Sequence, residues 1–190
     1  MNAGPVSRLL LVTTATSLAI AGGAASAHAD GIAYTCHAEP APGIEVATIT
    51  TKDNRCSGFV VRRAGKVVQE ARGLALGSGG FLTSSDGRTV VFLQHYPLAH
   101  LDAHGLIRTF DGKALDGVVI VRDGKEVTRI ALDTFVSSGA DMLETVSHVL
   151  WVRSFDPVVS RTWKVTTNAG TVFAIDTATG RVTAAAPSRK

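Results

Sequence analysis

The segment HYPLAHLDAH, which begins at His95, brings three histidines and one aspartate into ten positions. Imidazole nitrogens bind zinc and copper, so His95, His100 and His104 are candidate ligands of a divalent metal. Pro97 and Gly105 favour a short helix between them, on which His100 and His104 would lie about 40° apart and face solvent. A catalytic zinc site needs three protein ligands, and the H-E-x-x-H motif is absent. The alternative interpretation is a surface loop that caps the edge of a sheet.

Other residues that could carry out a reaction do not form a recognised motif. Ser78 and Ser85 both lack the G-x-S-x-G context of a nucleophile elbow, and no phosphate-binding G-x-x-x-x-G-K-[ST] is present. Asp111 and Asp116 lie in FDGKALDG, where Asp-Gly pairs are typical of turns. The sequence therefore predicts a non-catalytic protein with no cofactor, and a metal held by the histidine segment is the alternative.

The first 29 residues are typical of a signal peptide. Arg8 is the only charged side chain before Asp30, and a modest apolar run follows it. Ala27-His28-Ala29 fits the A-x-A pattern, so we expect cleavage before Asp30, with cleavage before His28 as the alternative. The apolar run is shorter than the roughly 20 residues of a membrane span. We therefore expect a secreted or periplasmic protein whose residues 30–190 form one domain and contain no transmembrane segment.

Charge and cysteine content narrow the classes of partner. The net charge is +3 and becomes +2 without Arg8, and the basic residues are scattered rather than concentrated on one face. Nucleic-acid binding usually needs such a face, so we exclude it. Cys36 and Cys56 are the only cysteines, and an even count in an exported chain predicts a disulfide. Closing a loop of about 20 residues stabilises the fold by roughly 3 kcal/mol.

Short β-type runs dominate the chain. Apolar runs at 59–61, 118–121 and 172–175 are each followed by a turn that contains glycine and then by a second run with β-branched residues. That pattern predicts β-hairpins. Only two short segments, Pro97 to His104 and roughly Asp133 to Leu143, favour helix.

Each hairpin has a preceding stretch that could supply two more strands. We therefore predict an all-β, antiparallel fold of about three four-strand meanders, near residues 31–76, 79–133 and 145–186. Gly77 to Gly80 would join the first two. Trp151 and Trp163 alternate with other side chains along predicted strands, which favours the core for both. The alternative is that they line a ligand groove with Tyr34 and Tyr96.

The turns SSDGRTVVFL and VFAIDTATGRV resemble the blade hairpins of bacterial β-propellers, especially those with a D-x-x-T-G-[KR]-V hairpin. The resemblance covers these turns and the length of the repeat, and it implies sheets arranged as blades. A propeller closes with at least four blades as a rule, whereas this chain has strands for about three. Either another chain completes the propeller, or the sheets pack as a sandwich or an open barrel.

Together these features predict an exported binding or interaction module. Its partner would be a protein, a surface polymer or a small ligand, bound through a sheet face or through loops. The alternative is a metal-binding protein or metal-dependent enzyme centred on His95, His100 and His104. The sheet edges could also pair with a second copy of the chain, because unpaired edges are normally covered, charged or paired.

Overall fold

The computed structural model describes residues 36–52, 55–96, 100–101, 107–109, 115–137, 142–144 and 149–185. These residues form sixteen β-strands and one short 3₁₀ helix. The strands are β1 (Cys36–Glu39), β2 (Ile44–Thr50), β3 (Cys56–Arg63), β4 (Lys66–Arg72), β5 (Ser78–Thr83), β6 (Thr89–Tyr96), β7 (His100–Leu101), β8 (Ile107–Thr109), β9 (Asp116–Arg122), β10 (Lys125–Ala131), β11 (Leu143–Glu144), β12 (Val149–Leu150), β13 (Val152–Phe155), β14 (Thr162–Thr167), β15 (Val172–Asp176) and β16 (Val182–Ala185). The 3₁₀ helix is Leu132–Thr134. The all-β, mainly antiparallel class predicted from the sequence is confirmed.

A five-stranded central sheet, ordered β1-β5-β6-β9-β10, is buried on both faces. Along β6, Val90 and Phe92 belong to one core cluster, whereas Val91 and Leu93 belong to another. Successive side chains of a strand point to opposite faces, so both faces of this sheet carry a core. This double burial explains why β6 and β9 are nearly continuous apolar runs rather than alternating ones.

The first face of the central sheet packs against the three-stranded meander β2-β3-β4. Phe59 of β3 lies with its ring centroid 5.1 Å from that of Phe81, and Phe81 lies 5.2 Å from Phe92 in the same way. Offset and edge-to-face ring pairs of this kind add about 0.5–1.5 kcal/mol each beyond the area that they bury. The Phe59–Phe81 pair joins the first layer to the central layer, and the Phe81–Phe92 pair links two strands within the central sheet.

The second face packs against the four-stranded meander β13-β14-β15-β16. Trp151 and Trp163 are fully buried there, and each indole N–H has a backbone acceptor. Trp151 Nε1 donates to the carbonyl of Gln94 at 2.6 Å, and Trp163 Nε1 donates to the carbonyl of Asp156 at 2.8 Å. Both tryptophans therefore belong to the core and do not line a groove.

The three layers agree with the predicted meanders in part. The third unit has its four strands, and the second unit has β5, β6, β9 and β10 with the hairpin β7-β8 inserted. The first unit also has four strands, β1 to β4, but they do not form one meander, because β1 pairs in parallel with β5. The layers are compatible with blade-like meanders, and among the described residues no sheet closes into a barrel.

Two local expectations also need correction. His100–Leu101 is a strand that pairs with β8, so the helix predicted from Pro97 to His104 does not run through these two residues. The cross-strand pairing satisfies backbone groups that a helix would have satisfied internally. At Asp133 the described residues hold a single 3₁₀ turn, and Leu143, at the other end of the predicted helix, lies in strand β11; residues 138–141 lie outside the described residues.

Cys36 of β1 and Cys56 of β3 form a disulfide with a Cα–Cα separation of 5.2 Å. The bond therefore joins β1 of the central sheet to β3 of the first layer.

Tyr34, one of the aromatics of the predicted groove, lies outside the described residues.

Candidate functional site

A polar cleft of about 430 Å³ opens at one end of the molecule, between the central sheet and the third layer. One wall consists of the β5-β6 turn, residues 84–88, and the β9-β10 turn at Asp123. The other wall consists of residues 159–161 and the β15-β16 turn at residues 177–178. We call this feature the turn cleft. Its volume lies within the range of about 300–1,000 Å³ that small-molecule sites occupy.

The β5-β6 turn is fixed by side chains of its own sequence. Ser84 Oγ donates to Asp86 Oδ1 at 2.5 Å, and the backbone N–H of Arg88 donates to the same oxygen at 3.0 Å. These two hydrogen bonds hold the pKa of Asp86 below its usual value, with the Ser84 bond as the larger cause. Gly87 has φ +74°, a left-handed conformation that glycine adopts without strain. The sequence SSDG therefore builds a rigid turn with an ionised carboxylate.

The β9-β10 turn presents a second carboxylate to the turn cleft. Asp123 and Gly124 have φ of 50° and 76°, and positive φ at both positions is the requirement of a type I′ hairpin turn. Arg88 binds Asp123 with two hydrogen bonds, from Nε to Oδ1 at 2.7 Å and from Nη2 to Oδ2 at 3.0 Å. This bidentate contact lowers the pKa of Asp123 and raises that of Arg88. The pair is exposed to solvent, so it fixes geometry more than it stabilises the fold.

Gln69, on β4 of the first layer, joins these two turns from behind. Its side chain is buried. Nε2 donates to the carbonyl of Gly87 at 2.5 Å, and Oε1 accepts from the backbone N–H of Gly124 at 2.9 Å. One amide group therefore sets the spacing of the two turns that form this wall.

The opposite wall is built around Thr177 and Asp176. Asp176 Oδ1 accepts from the backbone N–H groups of Ala178 and Thr179 at 2.8 and 3.2 Å, which lowers its pKa, with the Ala178 bond as the larger cause. Thr177 is buried; its Oγ1 donates to the carbonyl of Ser160 at 3.0 Å, and its N–H donates to the carbonyl of Arg161 at 2.8 Å. The two segments of this wall are thus bonded to each other.

Arg122 spans the floor between the walls. It is the last residue of β9 and is half-buried. Nε donates to Thr89 Oγ1 at 3.3 Å, and Nη2 donates to the carbonyl of Thr177 at 3.2 Å. Its guanidinium is therefore held between the central sheet and the third layer by two neutral acceptors.

The chemistry available in the turn cleft is recognition of a polar ligand. Three arginines and two aspartates line it, together with the hydroxyl groups of serine and threonine. Ser84 and Asp86 are the nearest approach to a nucleophile and base. The lowered pKa of Asp86 is the opposite of what a general base near neutral pH requires, and the bond between them closes a turn.

The histidine segment predicted as a metal site lies largely outside the described residues. The backbone places His95 in β6 and His100 in β7, their side chains are not described, and His104 falls outside the described ranges. His100 lies in a strand, so the helical spacing that would align it with His104 does not apply. Among the residues whose side chains are described, no group of three or more histidine, cysteine, aspartate or glutamate residues could hold a metal ion. The metal site stays a prediction.

Asp116 and Gly117 are the first residues of β9, so the turn role predicted for this Asp-Gly pair is wrong. Asp116 Oδ2 accepts a hydrogen bond from Arg129 Nη1 at 2.6 Å, which links β9 to β10. Asp111 lies outside the described residues. The sequence predicted hairpin turns at SSDGRTVVFL and after residues 118–121 but did not predict the turn cleft that these turns form. The available signal was the basic residue that follows the turn glycine, as Arg88 does.

No protein-family model, no curated protein and no solved structure matches the chain. Within the described part of the chain, no helix has the length and apolar character that crossing a membrane requires.

Proposed function

We propose that the chain is an exported, non-catalytic binding module that holds its ligand in the turn cleft. The ligand is a small molecule or one unit of a polymer. The proposal rests on hydrogen bonds that hold the walls of the turn cleft in place without a ligand. Gln69 joins two turns of one wall, Thr177 joins the segments of the other, and Arg122 spans both. A preorganised site loses less conformational entropy on binding than a flexible one.

Binding rather than catalysis is favoured by the state of the acidic groups. The pKa values of Asp86 and Asp123 are both lowered by hydrogen bonds, so both carboxylates are ionised at neutral pH and already have donors. Groups in this state position a ligand well, but they accept protons poorly.

Export is supported by the signal-like residues 1–29 and by the disulfide between Cys36 and Cys56. Disulfides persist in oxidising compartments and are rare in the cytosol. The ligand is then one that occurs in the periplasm or outside the cell.

The test compares two alanine-to-tryptophan variants. Ala178 lines the turn cleft, so Ala178→Trp fills it with an indole. Ala184 is exposed on β16 and does not line the cleft, so Ala184→Trp is the matched control. Both variants and the wild type are screened against an array of saccharides, organic acids and peptides.

We expect at least one array member to bind the wild type and Ala184→Trp and to lose binding to Ala178→Trp. Equal binding to both variants would show that the ligand lies elsewhere. Turnover of an array member by the wild type would contradict the non-catalytic assignment.

A further inference from the structure

We propose that the turn cleft recognises an oxyanion, a carboxylate or a phosphate, carried by a hydroxylated small ligand, and that Arg122 is its principal contact. This inference rests on the proposed binding function and names the chemical class of the ligand.

Arg122 is the best-placed cation in the turn cleft. A guanidinium has five N–H donors in one plane, and the bonds to Thr89 and Thr177 use two of them. Both acceptors are neutral oxygens, so these bonds fix the orientation of the group without neutralising its charge. A fixed, half-buried guanidinium with donors to spare is suited to bidentate contact with a carboxylate or phosphate.

The acidic residues of the turn cleft are already engaged. Both carboxylate oxygens of Asp123 accept hydrogen bonds from Arg88. Asp86 accepts hydrogen bonds from Ser84 Oγ and from the backbone N–H of Arg88. Both carboxylates therefore already have donors within the described residues, and the positive charge of Arg122 acts on Asp123 as a weaker influence than Arg88 does. This arrangement favours an anion over a cation as the ligand.

Arg161 adds a second, adjustable positive charge at the rim. Its side chain is 78% exposed, and its Nε lies 3.7 Å from Asp176 Oδ2, which is beyond hydrogen-bond distance. The lining holds three arginines and two aspartates, and Asp176 beside Arg161 offsets the third positive charge. The preference for an anion therefore rests on the orientation and the spare donors of Arg122 rather than on an excess of positive charge.

The hydroxylated part of the proposed ligand is inferred from the hydroxyl groups that lie beside these arginines. Ser85 and Ser160 both line the turn cleft. Ser160 Oγ donates its proton to the carbonyl of Thr162 at 2.8 Å, so its oxygen remains an acceptor for a ligand hydroxyl. An acidic group against Arg122 and hydroxyl groups against the serines would use both parts of the lining.

The experiment titrates the disulfide-bonded protein with four probes at constant ionic strength: inorganic phosphate, glucose 6-phosphate, glucuronate and glucose. Binding is followed by calorimetry and by nuclear magnetic resonance of the backbone amides and arginine Nε–H groups. The variants are Arg122→Met, Arg122→Lys and the control Arg153→Met. Arg153 is an exposed arginine of β13 and does not line the turn cleft.

We expect glucose 6-phosphate or glucuronate to saturate and to shift the Arg122 Nε–H and the amides of residues 84–88 and 177–178. Affinity should fall about tenfold or more in Arg122→Met, equivalent to about 1.4 kcal/mol or more. The fall should be smaller in Arg122→Lys, which keeps the charge but not the planar fork, and absent in Arg153→Met. Inorganic phosphate alone should bind more weakly than glucose 6-phosphate, because it lacks the sugar hydroxyl groups that would contact the serines.

Mapping on the wild type keeps the test valid if Arg122→Met unfolds, which its melting curve will show. Equal binding of glucose and the acids would overturn the oxyanion assignment and leave the turn cleft as a binding site. The assignment is also overturned if no probe moves the cleft amides while a neutral ligand from the array does. An array with no cleft-dependent ligand overturns the proposed function itself.

Discussion

Replacing Gln69 tests whether the wall of the turn cleft is held from the first layer. The side chain is 5% exposed and makes hydrogen bonds to backbone groups of Gly87 and Gly124. Gln69→Leu keeps most of the volume and removes both bonds. A neutral hydrogen bond contributes about 0.5–1.5 kcal/mol net, and a buried polar group left unpaired costs about 1–3 kcal/mol. Gly87 is buried and Gly124 is half-buried, so the free energy of unfolding should fall by about 2–4 kcal/mol.

Gln69→Glu gives the same test a pH signature. An ionised carboxylate at position 69 lacks a donor for the carbonyl of Gly87, and its burial is unfavourable, so the variant is destabilised at neutral pH. Burial raises the folded-state pKa of this carboxyl above its unfolded value of about 4.3. The protonated group regains a donor. Its stability contribution is therefore fully present below the unfolded pKa and is lost as pH rises through the folded pKa.

The assay is urea unfolding of the disulfide-bonded protein near pH 7 and near pH 4. Each variant is compared with the wild type at the same pH, because the native aspartates with lowered pKa values also lose stability in acid. Glu45→Gln, an exposed exchange on β2 of the same layer, is the control and should stay within about 0.5 kcal/mol of the wild type. A Gln69→Leu variant equally close to the wild type would contradict the role of Gln69, as would a deficit of Gln69→Glu that is the same at both pH values.

Three further predictions concern other parts of the chain. Cys36→Ser combined with Cys56→Ser should lower the free energy of unfolding by about 3 kcal/mol in urea titrations, and an unchanged midpoint would contradict the structural role of the bond. Asp176 has a lowered folded-state pKa, so its contribution to stability is present above its unfolded pKa and is lost as pH falls through the folded pKa. Asp176→Asn should therefore flatten the acid limb of a plot of melting temperature against pH. An unaltered limb would contradict this contribution. If the histidine segment holds a metal, untagged protein should contain stoichiometric zinc or copper that His100→Ala with His104→Ala removes, and metal-free protein after dialysis against zinc would end that alternative.

The local parts of the fold could be predicted from the sequence because their determinants are local. The Asp123-Gly124 pair predicts a hairpin turn, because few other dipeptides accept positive φ at both positions. The unit near residues 79–133 was predicted to be built of strands, and the apolar run Val90 to Leu93 does lie in one, β6, whose two faces belong to different core clusters. Trp151 and Trp163 were expected in the core, where both are found.

The parts that failed depend on contacts between distant residues. β1 follows the same local rules whether it pairs with its own meander or with β5, and only the three-dimensional packing decides. The helical spacing from Pro97 to His104 was overridden at His100 by pairing with β8. Tertiary context often outweighs weak local propensity in this way.

The turn cleft could not be predicted from the sequence, because it too depends on contacts between distant residues. Its walls come from turns that are 35 residues apart at Arg88 and Asp123 and 55 residues apart at Arg122 and Thr177. Each turn, taken alone, contains ordinary turn residues. They form one cleft only when the layers stack and Gln69 bonds to two of the turns.

The most direct test of the turn cleft is a crystal structure of the protein soaked with the acid that binds best in the titrations. We expect the oxyanion to lie within about 2.7–2.9 Å of the Arg122 guanidinium, with the hydroxyl groups of the ligand towards Ser160. Density for the acid on another surface, with the turn cleft filled only by solvent, would contradict it.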